Sequence, residues 1–151
     1  MLDVCIKVAQ GIYLWYQQGY NPPQLRDNML AVFQAFKSAY DVKNADKLSK
    51  VISDSYSGSL YGTKNKTELW GLFKGTFDTI PLGFNPSLTI NIYQVTEDSK
   101  EVFQAVIDFK SNISVLFVPI KHIDSDRVFI EVRPEKPYGI WKITRIEKIQ
   151  E

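Results

Sequence analysis

The chain has a single cysteine, Cys5, among its 151 residues, so no disulfide can close within it. It also has a single histidine, His122, and no carboxylates grouped at ligand spacing, so the residues imply no metal site. No phosphate-cradling loop is present, because Gly58, Gly62 and Gly71 lack the required spacing. The sequence therefore implies no cofactor. An excess of either charge is missing too: 18 basic against 17 acidic residues leave +1. Without a basic stripe there is no electrostatic footprint for nucleic acid. The densest basic stretch, Lys43 to Lys50, is broken by Asp46 and reads as a solvated helix face. Long hydrophobic runs are lacking as well. Asp3, Lys7 and Gln10 interrupt the first apolar segment and no basic n-region precedes it, so neither a signal peptide nor a membrane span is expected. The expected location is cytoplasmic, with Cys5 as a small buried hydrophobe in an apolar stripe.

What is present suits one folded domain spanning 1–151, since a chain of this length needs only one core. From Leu2 to Gln18, apolar residues at Cys5, Val8, Ala9, Ile12 and Tyr16 recur at helical spacing. The reading is a helix over 1–20, ended by Gly19 and the Pro22-Pro23 pair. A second helix places Leu25, Met29, Val32, Phe33, Phe36 and Tyr40 on one face. A third is expected from about Asp46 to Ser55, capped by Asn44. Ser57 to Gly62 suits a short strand or turn. Asn65-Lys66-Thr67-Glu68 has the form of a capping box, and Leu69, Leu72, Phe73, Phe77 and Ile80 follow it at helical spacing.

Beyond Ser87 the period changes to two. Leu88, Ile90 and Ile92 alternate with Thr89, Asn91 and Tyr93, and Phe103, Ala105, Ile107 and Phe109 alternate with Gln104, Val106 and Asp108. Ser111-Asn112 reads as a turn. Ile113 to Ile120 and Arg127 to Arg133 are strand-like, either one long bulged strand or two paired ones. Ile140 to Ile149 forms the last strand. Helices followed by an antiparallel meander define an α+β class with helices on one side of the sheet.

The stretch "AFKSAYDVKNADKLSKVISDSYSG" and the closing "GIWKITRIEKI", in this element order, resemble the nuclear transport factor 2-like (SnoaL-like) superfamily. The resemblance covers about Leu25 to Ile149 and leaves the first segment as an extra N-terminal helix. It implies a cone-shaped fold, with three to four helices on a curved antiparallel sheet and a pocket in the cone. It also implies pairing of two copies through their sheets, with Tyr93, Val95, Val106 and Leu116 as candidate contacts.

The chemistry best known on this cone, that of ketosteroid isomerase, needs a tyrosine, an aspartate base and a protonated aspartic acid. Matched on the motif, those positions hold Phe36, Leu60 and Lys121. A phenylalanine donates no hydrogen bond and a leucine accepts no proton, so that reaction is not expected. The remaining acid–base candidates are His122 and Asp108, which would act as a couple if adjacent strands brought them together. The plainer alternative has His122 beside a turn and Asp108 facing solvent or a lysine.

Among the aromatics, Tyr40, Tyr56, Tyr61, Trp70, Tyr93 and Trp141 either line a pocket or simply pack the core. The expectation is a non-catalytic binding or assembly protein, a homodimer, taking a small apolar ligand at Phe36, Tyr40, Tyr56, Trp70, Asp108 and His122. The competing reading is an isomerase- or dehydratase-like enzyme with His122 or Asp108 as base.

Overall fold

The computed structural model describes residues 3–19, 25–115 and 118–149, with side chains for 4–19, 25–113 and 127–149. Seven strands form one sheet in the order β1-β2-β4-β5-β6-β7-β3, and three helices pack on one of its faces. The α+β class and the helical layer agree with the sequence reading.

The first segment departs from it. Instead of a helix, Asp3–Ala9 (β1) and Ile12–Gln17 (β2) make an antiparallel hairpin. It turns at Gly11, whose φ of 74° favours a residue without Cβ. Short apolar runs fit both periods, and tertiary pairing decides between them. Here β2 lies parallel to β4, with Ile12 opposite Ile90 and Leu14 opposite Ile92, and the Ile90 amide donates to the Gly11 carbonyl at 2.8 Å. Ile12 and Leu14 are buried in the core. Cys5, which pairs with Trp15, is exposed rather than buried; alternation along the strand turns it away from the core.

Helix α1, Asp27–Asp41, buries Met29, Val32, Phe33, Phe36, Ala39 and Tyr40; this is the face that the spacing predicts with Ala39 added, except that Leu25 precedes the helix and is half-buried. Helix α2 is short, Ala45–Ser49, with the Asn44 side chain accepting from the Lys47 amide at 2.9 Å. The expected continuation to Ser55 is instead strand β3, Ile52–Gly58. Ile52 there pairs with Ile143 of the last strand, a buried partner that helix propensity cannot offer. A 3-10 turn, Leu60–Gly62, leads to helix α3, Lys66–Asp78. Asn65 caps the helix as expected, its Oδ1 accepting from the Glu68 amide at 2.9 Å, while the return contact is between side chains, Asn65 Nδ2 donating to Glu68 Oε2 at 2.9 Å.

Strands β4 (Asn85–Asp98), β5 (Phe103–Val115), β6 (Val118–Glu135) and β7 (Ile140–Lys148) form the antiparallel meander. Ser111-Asn112 is not a turn: β5 runs through it, pairing Ser111 with Asp124 and Asn112 with His122. The step between those pairs is a bulge, which lets Asp124-Ser125-Asp126 stay inside one strand. The core draws on Phe33 and Phe36 of α1, Leu69 and Phe73 of α3, and the inward residues Ile90, Ile107, Ile130 and Ile143. No helix among the described residues is long and apolar enough to cross a membrane.

Candidate functional site

Between α1, α3, the 3-10 turn and the inner sheet face lies a cleft of about 60 Å³, lined by Phe36, Tyr40, Leu60, Tyr61, Phe73, Leu88, Phe109 and Ser111. Helical spacing puts Phe36 and Tyr40 on adjacent turns of α1, and Phe73 comes from the facing side of α3. Phe109 and Ser111 continue the inward alternation of Ala105 and Ile107 along β5.

The rings pack tightly. Phe36 stacks on Phe109 at 5.2 Å between centres and meets Phe73 edge-on at 5.8 Å. Tyr40 meets Phe77 edge-on at 5.2 Å. These are ordinary aromatic distances, and they fill most of the space the fold encloses. What remains is far below the roughly 300–1,000 Å³ of pockets that hold drug-sized ligands.

One polar element stands in the wall: the Tyr40 hydroxyl donates to Ser111 Oγ at 2.7 Å, both side chains being buried. Behind it a clamp ties α1 to β4. Lys37 Nζ donates to Asp41 at 2.7 Å and to the Leu88 carbonyl at 2.6 Å, while Asp41 accepts from the Leu88 amide at 2.8 Å. Tyr61 is half-exposed, with a left-handed φ of 50° unusual for an aromatic residue.

Of the residues singled out by sequence, Phe36 and Tyr40 come together here, joined by Tyr61 from the wider aromatic set. Tyr56 is buried elsewhere. Its hydroxyl donates to the Ile146 carbonyl at 3.3 Å, and burial pushes its pKa up to about 12. Trp70 sits in a shallow groove between α2 and α3, donating from Nε1 to Asp46 at 3.1 Å. Asp108 occupies the outer face of the sheet, between Asn91 and Arg127 in register, and does not line the cleft. The side chains of His122 and Lys121 lie outside the described residues. The His122 backbone pairs with Asn112, four positions along β5 from Asp108, or about 13 Å of strand. Arg127, not His122, is the cross-strand neighbour of Asp108.

Phe36 and Leu60, the two positions that the resemblance maps to the isomerase tyrosine and base, both line the cleft. Sequence reasoning missed Phe73, Leu88, Phe109 and Ser111 as lining. Inward alternation along β5 pointed to Ser111, but the expected turn at Ser111-Asn112 masked it.

The outer face carries a polar cluster around Glu131. Buried Glu131 accepts from Arg133 Nε at 2.8 Å, Gln104 Nε2 at 2.9 Å and Thr144 Oγ1 at 3.0 Å. Burial raises its pKa, but the three donors together outweigh that and hold it below the usual carboxylate value. Among the described residues no group of three or more His, Cys, Asp or Glu is placed to hold a metal ion.

No protein-family model and no curated protein matches the chain. Solved structures do. Aln2 from a Streptomyces species aligns with a TM-score of 0.66 at 8% identity, covering 80% of this chain and 88% of that one. A protein of unknown function with a cystatin-like fold from Nostoc punctiforme gives 0.57 at 16%, covering 85% and 97%. An uncharacterised cystatin-like protein from Caulobacter vibrioides gives 0.58 at 13%, covering 82% and 89%. The chain thus has the cystatin-like fold of nuclear transport factor 2-like proteins. Identities this low speak to fold alone, and the fold hosts many functions.

Proposed function

We propose that this protein is a non-catalytic binder of small, mainly apolar molecules, held in the cleft between α1, α3 and the sheet. The observation that carries the proposal is the lining: apolar side chains around one buried hydroxyl pair, Tyr40 and Ser111. Such a wall offers dispersion contacts and one orienting hydrogen bond. An isomerase- or dehydratase-like reaction would need a base at the cleft; of its two candidates, Asp108 stands on the opposite face of β5, and the His122 side chain lies outside the described residues. The limited volume restricts the ligand to one small ring at most, with Tyr61 moving aside to admit it.

Phenol, an apolar ring with one hydroxyl, is a suitable probe in an NMR titration of the labelled protein. Saturable shifts at the Leu60 and Ser111 amides are expected, weakened about tenfold by Ser111→Val, the worth of one hydrogen bond. Shifts that never saturate, or that ignore the substitution, would overturn the reading.

Pairing of two copies through the outer sheet face is a separate proposal. Val106 is half-buried there opposite Phe129, whereas Val95 packs against the core and Leu116 lies outside the described residues. Sedimentation velocity over a concentration series tests it: a monomer at all concentrations would end it.

A further inference from the structure

The hairpin formed by β1 and β2 builds something besides an edge. With β4 and β6 it frames a groove of about 400 Å³ on the outer face, lined by Trp15, Tyr16, Gln17, Tyr93, Gln94 and Arg127. Trp15 is fixed, its Nε1 donating to Asn91 Oδ1 at 2.9 Å. Tyr93, the extra residue of the bulge between Ile92 and Gln94, stacks on Trp15 with centres 5.8 Å apart and planes at 23°. The Arg127 guanidinium lies over Tyr93 at 4.4 Å from the ring centre. Three flat groups are thus layered across three strands.

Arg127 is exposed, and among the described residues its side chain has no ion pair or hydrogen bond. Asp108 is its register partner, yet the guanidinium is drawn over the ring instead. Arg127 lines the groove together with the exposed Gln17 and Gln94.

A planar guanidinium held against an aromatic ring pairs with carboxylate through its edge and with a π-system through its open face. We propose that this groove binds a small aromatic carboxylate, its ring layered beside Arg127 and its carboxylate held by that fork and the glutamine amides. The site is distinct from the apolar cleft and stands or falls independently of it. Asp108, buried beside Arg127, opposes the anion and sets its affinity.

The test is isothermal titration calorimetry of the full chain with three probes: benzoate, benzamide and cyclohexanecarboxylate. Benzoate is expected to bind with a Kd of about 1 mM, and the neutral and non-planar probes about tenfold more weakly. Arg127→Lys, which keeps the charge and loses the plane, should weaken benzoate about fivefold and leave the cyclohexane acid nearly unchanged. Asp108→Asn should tighten benzoate about threefold without affecting benzamide, since only the anion feels that charge. This second variant keeps the test open if Arg127→Lys proves unstable. Equal binding of both carboxylates would reduce the groove to a general anion patch and overturn the proposal. So would absence of benzoate binding, or benzoate affinity indifferent to Asp108→Asn.

Discussion

The Tyr40 hydroxyl donates to Ser111 Oγ at 2.7 Å across 71 residues of chain, joining helix α1 to strand β5 inside an otherwise apolar wall. Breaking one partner of a buried pair leaves the other short of a hydrogen bond, which costs more than removing both. Tyr40→Phe and Ser111→Ala should each destabilise by about 1–2 kcal/mol, with the double variant about 1 kcal/mol better than their sum. Urea denaturation of the four proteins measures the coupling. A coupling near zero would mean that the two hydroxyls do not act on one another.

Phe73 touches Phe36, Tyr40 and Phe77 with centres 5.8, 6.2 and 6.3 Å away. Its ring is the largest single group from α3 in the cleft wall. Phe73→Ala should cost about 3–5 kcal/mol and open an apolar cavity. Such cavities stay dry and take up benzene. Thermal unfolding with and without benzene should show a rise in Tm for the variant that exceeds the rise for the wild-type protein.

Glu131 carries the clearest pH dependence. Against the upward push of burial, Arg133, Gln104 and Thr144 hold its folded pKa below the ordinary value of 4.5. A depressed carboxylate stabilises the fold above its unfolded pKa, and that contribution disappears as pH falls through the lower folded value. At pH 7 Glu131→Gln should therefore be less stable by about 1–3 kcal/mol, with charged hydrogen bonds replaced by neutral ones. The gap should close as pH drops from about 5 to about 3. Urea midpoints at pH 7, 5 and 3 test the sign; a gap that widens on acidification would contradict it.

Legibility in the sequence varied with how local the deciding interaction is. The inward face of α1 and the Asn65–Glu68 box rest on contacts three or four residues apart, which spacing displays directly. The strands Leu88–Ile92 and Phe103–Phe109 alternate cleanly because only one face of each meets the core. Residues decided by distant partners were misread. Ile52 left the expected helix for Ile143, and Ser111 stayed in β5 because β6 pairs alongside it. Of the candidate site, Phe36 and Tyr40 were visible on their helix. Phe73 and Leu88 join them only through the packing of α3 and β4, which no local pattern announces.

The N-terminal segment offers the sharpest contrast between the two periodicities. A helix over this stretch would bury Cys5 together with Ile12, whereas the hairpin buries Ile12 and Leu14 and exposes Cys5. The two arrangements therefore assign opposite costs to neighbouring substitutions. Leu14→Ala should destabilise by about 2–5 kcal/mol, because it removes a fully packed side chain against β4. Cys5→Ser should stay within about 0.5 kcal/mol, as surface changes do. In the folded protein Cys5 should also react with a water-soluble disulfide reagent without prior unfolding. Amide exchange adds an independent check: the Ile90 amide, bonded to Gly11, should lose protection in Leu14→Ala sooner than the Ile107 amide in the centre of the meander. A Cys5 that reacts only on denaturation, paired with a costly Cys5→Ser, would return this segment to the helical reading and remove the floor of the groove at Trp15 and Tyr93.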